Sequence, residues 1–273
     1  MVNAMARILV FDSGVGGLSV LDAIAAVPYA LELDYLADTA WLPYGLKTDA
    51  ALRDRVPHLI SAIARAWAPD AVVVACNTAS TIALEEVRLA VSVPVVGVVP
   101  PIKPAAALTK TGVIGVLATP ATVRRPYTDA LIRDFAQGIR VVRFGSSALV
   151  EAAEAKLAGA APNDAAITEA IAGLFEARGG AEVDVVALAC THFPLLRDEL
   201  AAAAPHAVQW LDSGAAIARR LVGVLNPPAG AAQSGAVAIT GGVSDLPACF
   251  RTRGFSRVFA VGDGSDFGLT RRF

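Results

Sequence analysis

Val72–Ser80 reads VVVACNTAS, an apolar run of strand length that ends in a thiol, an amide and two hydroxyls. Val185–Phe193 reads VVALACTHF and repeats the same order of residue types. Cys76 and Cys190 are therefore each predicted to lie just past the end of a buried strand. Two strand-end cysteines, each followed by small polar residues, predict a site that is built from two similar halves.

The chain on either side of these stretches alternates apolar strand-length runs with amphipathic helical runs, which is typical of parallel sheets with helices on both faces. The pattern that begins at Ile8 starts again at Val113. We therefore predict an α/β fold of two pseudo-symmetric lobes, each a parallel sheet flanked by helices, with residues 1–98 and 210–273 in the first lobe and 99–209 in the second. Because ligands of such sheets collect outside the carboxyl ends of the strands, the active site is expected in the cleft between the lobes.

Local signals add detail to both lobes. Pro100-Pro101 would end a strand, and it marks the expected crossing from the first lobe to the second. Residues 48–67 read as an amphipathic helix in which Pro57 predicts a kink or a break. Asn163 is predicted to cap the helix that follows it.

The composition excludes several classes of protein. Of the 273 residues, 55% are hydrophobic and 18% are charged, which argues against disorder. The 23 Lys and Arg residues against 25 Asp and Glu leave a net charge of −2, so a nucleic-acid partner is not expected. The longest uncharged stretch, Leu221–Ser244, contains prolines and glycines and is not expected to span a membrane. Ile8–Phe11 is too short for a signal-peptide core, so a cytoplasmic location without disulfides is expected.

A single cysteine after an apolar strand is most often an inert buried residue. The duplicated context argues against that interpretation for Cys76 and Cys190. Both precede residues suited to the start of a helix, where the dipole and free N–H groups stabilise a thiolate. Cys249 has no such context and is predicted to be structural.

Three rival interpretations of the polar motifs are weaker. Asp12–Gly17, DSGVGG, invites a dinucleotide-binding reading, but the third glycine of that fingerprint would be Ser19. A metal site is not expected, because the spacing of Cys190 and His192 matches no common zinc pattern. A thiol amidase with a Cys190–His192 pair is the stronger rival, but it leaves Cys76 without a role. Two opposed thiols suit proton removal from one face of a carbon and proton delivery to the other.

Four segments in this order resemble the glutamate racemases of the aspartate/glutamate racemase superfamily. They are Phe11–Gly17, Pro43–Gly45, Ala75–Ser80 and Cys190–Leu196. The likeness covers the chain from Arg7 to about Asp212. It implies a cofactor-independent enzyme that interconverts L- and D-glutamate, supplies D-glutamate for peptidoglycan and often forms a homodimer.

The resemblance also implies roles for individual residues. Cys76 and Cys190 would be the two acid/base thiols. Our own hypothesis is that Asp12 assists Cys76 and that His192 assists Cys190. The substrate would be contacted by a larger set of residues: Asp12, Ser13, Tyr44, Gly45, Asn77, Thr78, Glu151, Thr191 and His192. Within the superfamily, aspartate racemase, hydantoin racemase and malonate decarboxylase stay open as alternatives. From other classes, a Cys-His thiol amidase and a non-catalytic ligand-binding module stay open.

Overall fold

The computed structural model describes residues 5–262 and 267–271. Their strands, in chain order, are β1 (Ala6–Asp12), β2 (Leu31–Ala37), β3 (Ala71–Val74), β4 (Val95–Gly97), β5 (Val113–Ala118), β6 (Arg140–Gly145), β7 (Val185–Leu188), β8 (Gln209–Leu211), β9 (Gln233–Ile239), β10 (Arg257–Val261) and β11 (Leu269–Arg271). The helices are α1 (Leu18–Ala25), α2 (Asp49–Trp67), α3 (Asn77–Ala90), α4 (Ile102–Leu108), α5 (Pro120–Val123), α6 (Pro126–Phe135), α7 (Ala148–Leu157), α8 (Asp164–Phe175), α9 (Arg197–Ala203), α10 (Gly214–Leu225) and α11 (Ala248–Arg251).

The chain divides into two compact units, one running up to Val98 and resuming at Gly214, the other running from Val99 to Ser213. The domain boundaries expected from the sequence, 1–98 with 210–273 and 99–209, stay a prediction. Residues 1–4, 263–266 and 272–273 of the first predicted lobe lie outside the described residues.

The first unit contains a seven-stranded sheet in the order β11-β10-β9-β2-β1-β3-β4. Every neighbouring pair is parallel except β10 and β11, so a short antiparallel strand that the sequence did not predict closes one edge. Strands β1 and β3 are buried along most of their length because helices cover the sheet, which explains their near-continuous apolar sequences.

The second unit contains a four-stranded parallel sheet in the order β6-β5-β7-β8. This order repeats the β2-β1-β3-β4 half of the first sheet, strand for strand. The predicted α/β fold with two parallel sheets flanked by helices is confirmed, and the repeated strand order gives the predicted pseudo-symmetry a structural basis.

Helix α2 contains Pro57, at which the sequence predicted a kink or a break. Thr48 caps its first turn by accepting a hydrogen bond from the Ala51 N–H at 3.2 Å, and the helix then continues through Pro57 as one element. A break at Pro57 is therefore wrong. An interior proline costs about 3 kcal/mol, and the buried apolar face of α2, which includes Val56 and Ile60, offsets that cost.

Asn163 lies at the start of α8, and its Oδ1 atom accepts a hydrogen bond from the Ala165 N–H at 3.0 Å. The predicted N-cap is confirmed.

Gly17 allows the turn after β1 to pack closely on the sheet. A Cβ atom at this position would lie 2.7 Å from Asp12 Cβ and 2.7 Å from Tyr35 Oη. We expect Gly17→Ala to lower the free energy of unfolding by about 1–3 kcal/mol, because the added methyl group overpacks a buried turn. Denaturant unfolding of the purified protein measures this change.

Gly223 on α10 provides a matched control, because a Cβ atom there meets no described atom within 4 Å. Gly223→Ala should stabilise the protein by about 0.5–1 kcal/mol, since alanine favours a helix interior. Equal stabilities for the two variants would contradict the packing role of Gly17.

Candidate active site

Cys76 lies at the point in the first sheet where the strand order reverses. Strand β3 is paired with β1 up to Val74 and Phe11, and the Ala75 N–H then donates to the Phe11 carbonyl at 2.8 Å. The following residue is Cys76, only 5% exposed. In open α/β sheets, ligands bind outside the carboxyl ends of the strands at this kind of switch point.

The Cys76 thiol has partners on both sides of this strand end. It caps helix α3, with the Ala79 N–H donating to Sγ at 3.5 Å. Its Sγ atom also lies 3.5 Å from the Ser13 hydroxyl, which follows β1. The structure therefore places Cys76 at a helix N-terminus, as the sequence predicted.

The pKa of the Cys76 thiol is raised to about 12, against an ordinary value of 9.0. Burial is the largest cause, and the negative charge of Asp12 adds to it. Hydrogen bonds from Ala79 and Ser13 act in the opposite direction and lower the pKa, but they do not outweigh burial. The helix N-terminus therefore does not by itself make this thiol acidic, and the resting form at neutral pH is the thiol.

Asp12 is the last residue of β1 and is fully buried. Its two carboxylate oxygens accept hydrogen bonds from the Ser13 N–H and the Gly17 N–H, each at 2.7 Å. The carboxylate therefore holds the turn together while it supplies a fixed negative charge near Cys76. Ser13 is the residue of the turn that contacts the sulfur directly.

Asn77 and Thr78 begin helix α3 and are both buried. Within residues 5–262 and 267–271, the Oδ1 atom of Asn77 has no hydrogen-bond donor. A buried polar atom without a partner costs about 1–3 kcal/mol. An acceptor of this kind, beside a buried thiol, fits a ligand that brings its own N–H donor.

Tyr44 and Gly45 form a short 3₁₀ turn, Tyr44–Leu46, that packs against α3. The Tyr44 ring belongs to the same apolar cluster as Cys76. Its hydroxyl donates to Asp38 Oδ2 at 2.5 Å, and burial together with the charge of Asp38 raises the Tyr44 pKa well above its ordinary value. Because the hydroxyl is engaged with Asp38, the backbone is the part of this turn that suits a ligand.

Cys190 occupies the equivalent point of the second unit. Strand β7 is paired with β5 up to Leu188 and Leu117, and the Ala189 N–H donates to the Leu117 carbonyl at 2.8 Å. Cys190 follows and is 7% exposed. Thr191 and His192, next in the chain, are also buried.

The environment of Cys190 differs from the sequence expectation in one respect. The residues after it form a 3₁₀ helix, Phe193–Leu196, before α9 begins at Arg197. Cys190 therefore does not cap an α-helix, and the prediction that both cysteines precede α-helix N-termini is wrong for this one. Proline at position 194 suits the first turn of the 3₁₀ helix, whose start is at Phe193.

Cys190 instead has a histidine partner. Its Sγ atom lies 3.8 Å from Nδ1 of His192, and Nε2 of the same ring lies 2.7 Å from Oε1 of Glu154. His192 is 2% exposed. Sulfur, imidazole and carboxylate thus form a chain through which a proton can move and in which the ring is oriented.

Glu154 is the site residue that the sequence analysis missed. It lies on α7, one helical turn beyond Glu151, which is exposed at the start of the same helix. The repeated acidic residues at positions 151 and 154 were the available signal, because residues three apart share a helix face. A substrate contact by Glu151 stays a prediction.

The described residues hold no group of three or more His, Cys, Asp or Glu side chains arranged for a metal ion. None of the helices in the described ranges is long and apolar enough to cross a membrane. Cys249 is buried and not in a disulfide, and its carbonyl accepts a hydrogen bond from the Arg253 side chain at 2.8 Å.

The electrostatics of Cys76 lead to an alkylation experiment. At pH 8 a thiol with a pKa of about 12 is ionised in roughly one molecule in 10⁴, so iodoacetamide should modify Cys76 slowly. Asp12→Asn should accelerate modification several-fold, because the charge that raises the pKa is removed. Ser13→Ala should slow it, because a hydrogen bond that lowers the pKa is lost.

Peptide mapping by mass spectrometry measures the modification rates of Cys76 and Cys249 in the same sample, and Cys249 serves as the internal reference. Access to the buried sulfur is shared by the variants, so their ratio reports the thiolate fraction. Changes of the same sign in Asp12→Asn and Ser13→Ala would contradict this account of the Cys76 pKa.

Comparison with known proteins shows which family this chain resembles. The family model described as Asp/Glu/Hydantoin racemase matches residues 19–221. A glutamate racemase of Sphingopyxis alaskensis is 52% identical over 216 residues, which is 79% of this chain and 81% of that protein. A glutamate racemase of Brucella anthropi is 46% identical over 82% of this chain and 81% of its own length.

A solved structure extends the similarity to the fold. The crystal structure of Escherichia coli glutamate racemase, in complex with L-glutamate and the activator UDP-MurNAc-Ala, superposes with a TM-score of 0.85 at 38% identity. The match covers 97% of this chain and 99% of that one. The resemblance read from four sequence segments is confirmed: the chain belongs to the Asp/Glu/hydantoin racemase family.

Proposed function

We propose that this protein interconverts L- and D-glutamate without a cofactor, with Cys76 and Cys190 as the two acid/base groups. The observation that carries the proposal is the repeated placement of a buried thiol two residues past the strand that neighbours β1 or β5, each with its own polar partners. The identity to glutamate racemases over about four-fifths of the chain supports glutamate as the substrate.

Racemisation requires that a proton leave the α-carbon on one face and that another proton arrive on the opposite face. In the proposed cycle, one cysteine acts as thiolate and takes the α-proton, and the electron pair of the broken C–H bond is held by the adjacent carboxylate. The other cysteine, as thiol, gives its proton to the carbon. The enantiomer leaves, and the protonation states of the two sulfurs are exchanged. No atom or electron is gained or lost.

The polar residues around Cys76 would hold the amino acid. We propose that Asn77 Oδ1 accepts a hydrogen bond from the α-ammonium group, which supplies the donor that this buried oxygen lacks among the described residues. Thr78, the Ser13 turn and the backbone of Tyr44 and Gly45 would bind the carboxylates through hydroxyl and N–H groups. Asp12 would hold the turn and act on the Cys76 proton.

In the second unit, Thr191 would bind substrate and His192 would exchange a proton with Cys190. We propose that Glu154 accepts a hydrogen bond from Nε2 of His192, so that the ring presents Nδ1 to the sulfur. Glu151 is proposed as a further substrate contact. We further propose that the enzyme is cytoplasmic, that it forms a homodimer and that it supplies D-glutamate for peptidoglycan. The family resemblance supports these three points.

Exchange of the α-proton with solvent deuterium distinguishes the proposed glutamate racemase from an aspartate racemase and from a thiol amidase. Wild-type protein in D₂O should incorporate deuterium at the α-carbon of L-glutamate and convert it to D-glutamate, as followed by NMR and optical rotation. L-Aspartate in a parallel sample tests the aspartate racemase alternative. A thiol amidase would instead show a burst of product from an amide substrate and no α-exchange.

The two cysteines should be individually essential. We expect Cys76→Ala and Cys190→Ala each to lower kcat for racemisation by about 10²–10⁴-fold, because each removes one of the two proton-transfer groups. Cys249→Ala is the matched control, since it deletes a buried thiol outside the proposed site, and it should retain wild-type kcat. Near-wild-type racemisation by Cys76→Ala would show the two-base scheme to be wrong.

Glu154→Gln tests the orientation of His192. We expect kcat to fall about tenfold or more, since the amide no longer enforces the ring tautomer that presents Nδ1 to Cys190. Glu169→Gln, an exposed substitution on α8 of the same unit, is the control and should leave kcat unchanged. Steady-state racemisation rates of the two variants within twofold of each other would remove Glu154 from the mechanism.

A further inference from the structure

The carboxylate of Asp38 lies just beyond β2 and is the centre of a buried hydrogen-bond network in the first unit. Its Oδ1 atom accepts from Arg55 Nη2 and from the Thr240 hydroxyl, each at 2.7 Å. Its Oδ2 atom accepts from Arg55 Nε at 2.7 Å and from the Tyr44 hydroxyl at 2.5 Å. These four donors fill the acceptor positions of a carboxylate.

Arg55 contributes a planar, bidentate contact from the interior of α2. The Arg55 side chain is 9% exposed and that of Asp38 is 0% exposed, so the pair is buried. The guanidinium carbon lies 4.6 Å from the centre of the Trp41 ring and 5.3 Å from that of Phe267. Aromatic faces on a guanidinium restrict it to one orientation, which lysine cannot reproduce.

The network fixes the loop that carries Tyr44. Thr240 joins it from the end of β9, where its hydroxyl also accepts from the Ala40 N–H at 3.0 Å. Asp38 is tied to the first strand, because its N–H donates to the Asp12 carbonyl at 3.0 Å. The loop between Asp38 and Leu46 is therefore held at its Asp38 end, at Ala40 and at the Tyr44 side chain.

We infer that Arg55 is a positioning residue for the reaction: through Asp38 and the Tyr44 hydroxyl it places the Tyr44-Gly45 backbone where it would bind the substrate. This inference rests on the proposed racemase function. Arg55 itself lies one step removed from the substrate, since its guanidinium fork is engaged with Asp38. Its loss should therefore weaken substrate binding more than it slows proton transfer by the two thiols.

A purely structural role for Arg55 predicts a different result. If the network only stabilised the fold, a variant would contain less active enzyme, so apparent kcat would fall while KM stayed constant. If the network positions the loop, KM for glutamate rises and kcat changes little. The split between KM and kcat, measured well below each variant's melting temperature, separates the two roles.

The test uses Arg55→Lys, which keeps the charge but loses the bidentate fork, and Tyr44→Phe, which removes one hydroxyl and keeps the ring. We expect each to raise KM for L-glutamate about tenfold, with kcat within about threefold of wild type. Because both act through Asp38, the double variant should raise KM no further than the larger single effect, well below the product of the two. Tyr44→Phe carries the test where Arg55→Lys does not fold.

Arg53→Lys is the matched control. Arg53 lies on the same helix but is exposed, and it pairs with Glu86 at 3.1 Å, so its KM should equal that of the wild type. Equal KM values for Arg55→Lys and Arg53→Lys, or a KM for the double variant equal to the product of the single effects, would overturn the inference alone. Absence of α-proton exchange by the wild type would overturn the proposed function, and the inference with it.

Discussion

Burial of the Cys76 thiol beside Asp12 is the constraint on which the chemistry of the first unit depends. Both effects raise the pKa of the thiol, so the resting group keeps its proton. The α-proton of an amino acid is weakly acidic, and a thiolate of high pKa is the stronger base once it is formed. Burial thus hinders formation of the thiolate and favours the proton transfer that follows. A substrate ammonium group bound at Asn77 would bring a positive charge toward Cys76 and lower the cost of ionising the thiol.

The strand order of the first sheet explains why Ser13 and Asp12 lie beside Cys76. In both units the cysteine follows the strand that lies beside the first strand of that unit, at the point where the order of strands reverses. The residues after β1 and those after β3 therefore share one sheet edge, which brings Ser13 to Cys76 across 63 positions of sequence. Gly17 permits the close turn that keeps Asp12 against this edge. The topology of the sheet and the close turn at Gly17 together place the polar partners of Cys76 beside it.

The sequence predicted the features that depend on a local residue pattern. It did not predict those that depend on how a helix or a side chain is oriented. Apolar runs identified the strands, and small polar residues after them identified both cysteines and the Ser13 turn. The rotation of α7 about its axis depends on packing, so the pattern could not decide between Glu151 and Glu154 as the partner of His192. Likewise, the Tyr44 hydroxyl donates to Asp38, on which Arg55 and Thr240 also converge, and Thr240 is 202 positions from Asp38. Contacts of that range leave no periodic signal.

The two thiols are equivalent in topology but not in chemistry. Cys76 accepts a hydrogen bond from a backbone N–H and donates one to the Ser13 hydroxyl, neither of which can take its proton at neutral pH, and it lies near the fixed charge of Asp12. Cys190 faces an imidazole that can accept or release a proton and that is itself held by Glu154. The two half-reactions would therefore rely on different means of setting the thiol or thiolate form. An enzyme that works in both directions needs one thiol and one thiolate in each direction, and here these forms would be set by unlike surroundings: burial and ligand charge for Cys76, and an oriented histidine for Cys190.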